Sequence, residues 1–232
     1  MPSLVPQLAL SAITIIFVNL VLSGDNAVVI ALAVRNLQHG RRVRAMIAGA
    51  ACAVVLRVVA TFFAYELLHI EFLKLAAGLT ILWIAVRLFG EAGPSEKSGG
   101  AAPSSFWHAI WYIMIADVTM SLDNVLAIAE VAHGSLALLM FGLGLSIPFV
   151  LFASGLLANL MDRYPIIVYI GAALLGQIGA EMMLTDQFTV QVFAPAAWVR
   201  YTLEAVGAAG VLVVGKLVAN RAARTPEKAR VG

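Results

Sequence analysis

The stretch ITIIFVNLVLSGDNAVVIALAV, residues 13–34, is apolar enough to cross a bilayer, yet it contains Asn19, Asp25 and Asn26. A second apolar stretch, IWYIMIADVTMSLDNVLAIAEV at residues 110–131, carries a similar set of polar residues. An aspartate at the centre of a membrane helix costs about 2.5–3.5 kcal/mol on insertion scales. Because this costly feature occurs twice, we interpret the two stretches as two halves of one ion site.

The composition is that of a protein embedded in a membrane. Of the 232 residues, 62% are hydrophobic and 12% are charged, and the mean hydropathy is +0.94. Soluble domains average about 45–50% apolar and about 25% charged residues. Several apolar runs reach the roughly 20 residues that a helix needs to cross a bilayer. The sequence therefore predicts an all-α, polytopic membrane protein. We expect it to be embedded in the lipid bilayer and not to bind nucleic acid.

Hydrophobic runs predict seven transmembrane helices, at residues 7–34, 43–67, 72–90, 106–132, 135–157, 165–184 and 197–219. The chain then divides into a first repeat half at 1–90, a linker at 91–105, a second half at 106–184, a segment with the seventh span at 185–220 and a basic tail at 221–232. The linker is rich in Gly, Ser and Pro, which predicts flexibility. We expect the tail to be disordered.

Basic residues predict the orientation. With seven spans, eleven of the fifteen lysines and arginines fall on one side: Arg35, Arg41, Arg42, Arg44, Lys97, Arg163, Lys216, Arg221, Arg224, Lys228 and Arg230. Lys74 and Arg200 fall near span ends on the other side. Since cytoplasmic loops are enriched in Lys and Arg, we expect an outside N-terminus and a cytoplasmic C-terminus.

The two polar motifs indicate an internal repeat. The pattern N-x-x-x-S-G-D-N at 19–26 aligns with D-x-x-x-S-L-D-N at 117–124, and WIAVR at 83–87 aligns more weakly with GQIGAE at 176–181. Each half holds three spans, an odd number, so the halves must cross the membrane in opposite senses. This predicts an inverted repeat of three plus three helices, with one additional C-terminal helix and a site near the midplane.

Helical geometry leaves two alternatives at the motifs. Residues 19, 23 and 26 share one face of an ideal helix, whereas Asp25 lies about 100° away from Asn26. Either each aspartate faces a third helix, or the helix unwinds locally. Gly24 favours unwinding in the first motif, while Leu122 does not favour it in the second.

The predicted ligands are all oxygen donors. They are Asp25, Asn26, Asp117, Asp123, Asn124 and Asn19, with Ser23 and Ser121 as weaker candidates. Oxygen-only sets suit hard cations such as Mg²⁺, Ca²⁺ and Mn²⁺, whereas zinc and copper usually recruit imidazole or thiolate. Protons could neutralise the carboxylates in the empty protein, which favours proton–metal exchange. We expect no prosthetic group.

Other charged residues fall inside or near the spans. Arg57, Arg87 and Glu181 are candidates for gating or proton coupling, because charges within spans usually line pathways. Five acidic residues are expected to decorate the outer side in contact with water: Glu66, Glu71, Glu130, Asp186 and Glu204.

Three segments carry a family resemblance: SGDNAVVIALAVRNL at 23–37, ADVTMSLDNVLAIAEVAHG at 116–134 and FGLGLSIPFVLFASGLL at 141–157. Together they resemble the TerC family of integral membrane proteins, near its YjbE-type branch and within the LysE-type exporters. The resemblance implies a manganese exporter of the bacterial inner membrane, compatible with a homo-oligomer. It matches the family's acidic motifs to Asp25-Asn26 and Asp123-Asn124, and a further aspartate to Asp117.

Other functions remain alternatives to manganese export. The protein could export another small solute, such as an amino acid, although three acidic groups disfavour a carboxylate cargo. It could also be a membrane partner for the metallation or assembly of exported proteins. An intramembrane aspartyl protease is a remote alternative: those enzymes carry G-x-G-D where this chain has L-S-G-D. We therefore expect a transporter rather than an enzyme.

Overall fold

The computed structural model describes residues 24–63, 70, 72–92, 105–131, 136–193 and 195–228. Side chains are described at these positions except at 61–62, 92, 122–131, 136–146 and 221–228. This described part contains eight helices and no strand: α1 Gly24–Val34, α2 His39–Phe62, α3 Leu73–Ala92, α4 Phe106–Val131, α5 Leu136–Arg163, α6 Ile166–Leu184, α7 Gln187–Phe193 and α8 Ala197–Lys228.

Each predicted span corresponds to one of these helices, and α7 is an additional short helix between the sixth and seventh spans. Four helices are long and apolar enough to cross a membrane in their described parts, at His39–Ala60, Leu73–Glu91, Ile166–Leu184 and Ala197–Asn220. The described part of the first span is a shorter apolar helix, Gly24–Val34. The all-helical, membrane-spanning fold is thus confirmed, whereas the number of seven spans stays a prediction.

The expectation of a disordered tail is wrong up to Lys228, because α8 continues that far. Neither glycine nor proline occurs between Lys216 and Thr225, and the segment contains the strong helix formers Ala222, Ala223 and Arg224. Pro226 follows in the last turn, close to the point where the described helix ends. A helix that is already nucleated within an apolar span propagates through such residues at little cost.

Contacts between helices define their relative directions. Gly49 of α2 lies against Ile113 of α4, and Arg57 contacts Ser121 further along both helices, so α2 and α4 run parallel. By contrast, Gly78 of α3 lies against Gly179 of α6. The helices α3 and α6 run antiparallel, since Phe89 contacts Tyr169 at the other end of the pair.

Basic residues lie at one end of the bundle, which we call the basic end. Arg35 and Arg42, beside the α1–α2 connection, contact Asp162 at the C-terminal end of α5. Asn36 donates to the carbonyl of Glu91, which places the C-terminal end of α3 there as well. The opposite end contains α7 and the N-terminal end of α3.

Glycines bring α3, α6 and α8 into close contact. A Cβ atom on Gly176 of α6 would lie 2.6 Å from the carbonyl oxygen of Gly207 on α8, and the same distance separates the reciprocal pair. A Cβ atom on Gly78 would overlap the carbonyl oxygen of Gly179. Small residues therefore allow the helices to pack closely at these crossings.

Candidate cation site

Asp25 and Asn26 lie at the beginning of α1 and differ in their surroundings. The Asp25 carboxylate is half-buried, and its Oδ1 accepts a hydrogen bond from the backbone N–H of Asn26 at 2.8 Å. The Asn26 side chain is buried, at 4% relative exposure. Its Oδ1 atom accepts no hydrogen bond from any described residue. Since buried polar groups are nearly always paired, this oxygen is an exception among the described side chains and a candidate ligand atom.

Arg57 of α2 forms a hydrogen-bonded set with two residues of α4. Its Nη2 donates to Asp117 Oδ1 at 2.6 Å, and its Nε donates to Ser121 Oγ at 2.9 Å. The Ser121 hydroxyl in turn donates to Asp117 Oδ2 at 3.1 Å. All three residues are buried. The structure therefore engages both carboxylate oxygens of Asp117 within the protein.

Asp25 lies on α1, which packs against α2 and α4, the two helices that carry Arg57 and Asp117. Asp25 also faces α6. It lines a cavity of about 210 Å³ whose described walls include Val28 on α1 and Leu174 and Ile178 on α6. A third helix thus faces the aspartate of the first motif.

The second motif is not unwound. The helix α4 runs without interruption from Phe106 to Val131, through residues 121–124. In the first motif, residues 24–26 are also helical, while Ser23 lies outside the described residues. Of the two alternatives that the sequence leaves open, local unwinding is thereby excluded at residues 121–124.

Three residues of the predicted site lie outside the described side chains. Asn19 lies outside the described residues, and Asp123 and Asn124 lie on α4 at positions whose side chains are not described. Within the described side chains, no three carboxylate, imidazole or thiolate groups meet as a metal-binding cluster. The described side chains thus contain the Arg57–Asp117 ion pair and, on the neighbouring helix α1, Asp25, but no complete ligand set.

The two remaining gating candidates are exposed on the bundle surface. Glu181 lies on α6, one helical turn beyond Ile178 in the direction away from the basic end, and thus near the Asp25 cavity in sequence register. Arg87 lies over the ring of Trp83 on its own helix, with its guanidinium carbon 6.0 Å from the ring centre. That contact is typical of a cation–π pair at the membrane boundary.

An ionic cluster joins α1, α2 and α5 at the basic end. Arg42 donates from Nη1 to Asp162 Oδ2 at 2.8 Å, and Arg35 Nε lies 3.6 Å from Asp162 Oδ1. Arg42 also donates to the carbonyl of Arg35. The cluster connects the first predicted half of the chain to the second at the basic end.

Two acidic residues expected in contact with water are instead buried: Asp186 at 2% and Glu204 at 5% exposure. Asp186 accepts from the backbone N–H groups of Leu75 and Phe188, which lie in the first turns of α3 and α7 and lack helical partners. Glu204 faces α6, where Gln177 donates to it at 3.4 Å. The sequence contains a signal for Glu204, because it precedes Gly207 by one turn on a face of small residues.

A comparison with known families identifies the chain. The profile of the "Integral membrane protein TerC family" matches residues 4–224. The chain belongs to the TerC family. The family match covers nearly the whole chain, including both polar motifs, and confirms the resemblance that the three segments suggested.

Several curated bacterial membrane proteins are similar to this TerC-family chain. The uncharacterized membrane protein YjbE of Bacillus subtilis is 38% identical over 178 residues, which cover 77% of this chain and 81% of that protein. The inner membrane protein YgdQ of Escherichia coli strain K12 is 26% identical over 201 residues, which cover 80% and 83% of the two chains. No solved structure matches. The protein is accordingly an integral membrane protein.

Proposed function

We propose that this TerC-family protein transports divalent cations, with Mn²⁺ as its main cargo, out of the cytoplasm. The observation that carries this proposal is the buried Asn26 Oδ1, which has no partner among the described residues and follows the Asp25 carboxylate on α1, the helix that packs against α2 and α4. A buried acceptor without a partner costs about 1–3 kcal/mol, and a cation would offset that cost. The Asp25 carboxylate would supply the negative charge that the neutral Asn26 amide lacks.

The proposed ligand set extends to the second motif. Asp123 and Asn124 of α4 repeat the Asp25-Asn26 pair, and Asn19, Ser23 and Ser121 remain secondary candidates. Carboxylate and amide oxygens favour Mn²⁺, Mg²⁺ and Ca²⁺ over softer metals. The preference for Mn²⁺ rests on the family resemblance. We propose neither a prosthetic group nor an enzymatic reaction.

Helix packing supports the inverted repeat within this proposal. An inverted repeat would make α1, α2 and α3 equivalent to α4, α5 and α6, respectively. A contact between α1 and α5 would then be matched by a contact between α4 and α2, and both of these contacts occur. The contact of α1 with α6 likewise has α3 with α4 as its counterpart, and both occur. Segments 1–90 and 106–184 are then the two halves, and residues 185–220 contribute the additional helix.

Charge placement supports the proposed sidedness. The basic end holds Arg35, Arg42 and Asp162, and the connection at 91–105 joins two helices whose adjoining ends both lie there. We propose that this end is cytoplasmic, that the N-terminus is outside, and that the protein resides in a bacterial inner membrane, where it is compatible with a homo-oligomer. Protons would exchange for the metal, with Glu181 as a candidate carrier.

Transport by reconstituted protein tests the proposed function. Full-length protein in liposomes should move Mn²⁺ along an imposed gradient, and Asp25→Asn should abolish this flux, because it removes charge that balances the ion while keeping the side-chain size. Glu91→Gln provides a matched control, since it converts a carboxylate into an amide at an exposed position at the basic end. The proposal is wrong if Asp25→Asn, at equal reconstitution, transports Mn²⁺ as fast as Glu91→Gln.

A further inference from the structure

Glu204 is a buried acidic residue that the candidate cation site does not use. It lies on α8 seven residues after Ala197, where that span begins, and Gln177 lies on α6 seven residues before Leu184, where that span ends. Both side chains are therefore attached about 10 Å from the end of the bundle that is opposite to the basic end. An acidic side chain at this depth in a membrane helix is costly and commonly belongs to an ion or proton pathway.

The described surroundings of Glu204 provide an amide instead of a counter-ion. Gln177 Nε2 donates to Glu204 Oε2 at 3.4 Å, and Glu204 is 5% exposed. The charged groups nearest to it in helical register are Arg200 on α8, Lys74 on α3 and Glu181 on α6, since α8 packs against α6 and α3. Within the part of the chain that the structure describes, neither cation forms an ion pair with Glu204. A buried carboxylate without a counter-ion is unfavourable unless a proton or a metal ion neutralises it.

Close helix packing next to Glu204 favours a proton over a metal ion. One turn along α8, a Cβ atom on Gly207 would lie 2.6 Å from the carbonyl oxygen of Gly176 and 2.7 Å from the Cβ atom of Ala180. The backbones of α6 and α8 therefore approach each other too closely there to admit a hydrated cation. Ca²⁺ takes about 6–8 oxygen ligands and Mg²⁺ needs a near-octahedral shell, whereas a proton needs a single oxygen.

The helix α6 connects Glu204 with the candidate cation site. Leu174 and Ile178 of α6 line the cavity that contains Asp25, and Gln177 lies between them in the sequence. The wall of the cavity and the hydrogen-bond partner of Glu204 are thus adjoining faces of one helix. A change in the contact between Glu204 and Gln177 would therefore act on the helix that faces Asp25.

We propose that Glu204 is the residue that binds and releases the exchanged proton, and that α6 transmits this change to the Asp25 cavity. The inference rests on the proposed function and moves the role of proton carrier from the exposed Glu181 to the buried carboxyl group on α8. An ionised Glu204 accepts from the amide nitrogen of Gln177, whereas a protonated Glu204 donates to the amide oxygen, so proton binding alters the contact between α6 and α8. The proton is taken up from the end opposite to the basic end, which is the outside in the proposed orientation.

Transport driven by a pH gradient tests this inference. Full-length protein would be reconstituted into liposomes with an acidic interior. At a pH difference of about one unit, wild type should concentrate Mn²⁺ in the acidic compartment by about tenfold for each exchanged proton, because one pH unit is a tenfold ratio of proton activity. Glu204→Gln keeps the side-chain size but cannot release a proton. It should exchange radioactive Mn²⁺ across the membrane without concentrating it.

Three further variants complete the transport experiment. Glu91→Gln makes the same change from carboxylate to amide at an exposed position at the basic end and should concentrate Mn²⁺ as wild type does. Glu204→Asp keeps a carboxyl group and should retain the response to the pH gradient. Glu181→Gln distinguishes the two carriers: if it abolishes the concentration of Mn²⁺ and Glu204→Gln does not, the inference is wrong.

Infrared spectroscopy provides a measurement that does not require transport. The difference spectrum between wild type and Glu204→Gln should contain the carbonyl band of a protonated carboxylic acid, and this band should weaken as the pH is raised. Absence of the band at every pH at which the protein is folded would overturn the inference. If wild type moves no Mn²⁺ in either mode, the proposed function fails, whereas the band still decides whether Glu204 holds a proton. If wild type and Glu204→Gln concentrate Mn²⁺ equally, the proposed function stands and the inference fails.

Discussion

At the scale of single residues, Asn26 combines deep burial with an acceptor atom that no described residue uses. Its side chain is 4% exposed, and its Oδ1 has no partner among the described residues. Such an atom lowers the stability of the cation-free protein by about 1–3 kcal/mol relative to a satisfied one. A residue that weakens the fold but offers an oxygen beside a carboxylate is expected to contribute more to binding than to folding.

The substitution Asn26→Ala separates these two contributions. We expect its free energy of unfolding without cation to stay within about 1 kcal/mol of wild type, because the lost packing is offset by removal of the unpaired oxygen. Saturating Mn²⁺ should stabilise the wild type, by about 2.7 kcal/mol at a hundredfold excess over Kd, and should stabilise the variant much less. Thermal unfolding in detergent with and without Mn²⁺ measures both effects.

Asn159→Ala serves as the control for that experiment. Asn159 Oδ1 accepts from Arg42 at 3.5 Å at the basic end, so its loss affects the ionic cluster and not the candidate site. The Mn²⁺-induced stabilisation should therefore be retained in Asn159→Ala. An Asn26→Ala protein that is destabilised without cation, yet stabilised by Mn²⁺ as much as wild type, would contradict a ligand role for Asn26.

At the scale of helices, close approach at glycines holds α8 against α6. Gly176 and Gly207 face each other with carbonyl oxygens 2.6 Å from the positions that Cβ atoms would occupy. Glu204 lies one turn before Gly207 and is buried at the same interface. In lipid, where apolar surfaces gain little by association, such backbone proximity and interhelical hydrogen bonds supply much of the packing energy.

Two alanine substitutions on α8 test this interface. Gly207→Ala places a methyl group 2.6 Å from the Gly176 oxygen and 2.7 Å from the Ala180 Cβ, so we expect a destabilisation of about 1–3 kcal/mol. At Gly210 no described atom lies within 4 Å of the added methyl group. Gly210→Ala should be neutral or stabilising by up to about 1 kcal/mol, because alanine favours a helix over glycine.

The difference between the two variants is the measured quantity. Both change one glycine to alanine on the same helix, one turn apart, so propensity alone predicts the same result for each. Thermal denaturation of the two purified proteins would reveal the difference in melting temperature. Equal melting temperatures would mean that α8 does not pack on α6 as described.

At the scale of the whole molecule, charge is segregated between the two ends of the bundle. Asp162, Arg35 and Arg42 form an ionic cluster at the basic end, whereas the opposite end contains Asp186 as a shared cap of α3 and α7. Because cytoplasmic loops of membrane proteins are enriched in Lys and Arg, this asymmetry predicts which end faces the cytoplasm.

Cysteine labelling in whole cells tests the sidedness. The chain has one cysteine, Cys52, which is exposed and would first be replaced by alanine. A cysteine introduced at Ser98, in the connection between α3 and α4, should not react with a reagent that cannot cross the membrane. A cysteine at the exposed Gln187, in the first turn of α7 at the opposite end, should react. The reverse pattern would invert the orientation.

Much of the fold follows from local sequence alone. Whether a segment crosses a bilayer depends on the length and hydrophobicity of that segment, so the predicted segments at 106–132 and 165–184 agree closely with α4 and α6. The short helix α7 was not predicted, because its seven residues lack a periodic pattern long enough to distinguish them from a loop. The helical tail was missed because basic composition predicts solvation but not backbone conformation.

The paired motifs with Asp25 and Asp123 also follow from the sequence, since an acidic residue in an apolar run is costly wherever the run packs. The partners of those residues depend on the tertiary structure. Arg57 and Asp117 are 60 positions apart. Asp25 and Glu204 both face α6, and they do so only because helices that are distant in the chain pack together. Local patterns therefore determined where charge enters the membrane, while the packing of the helices decided which charges are neutralised there.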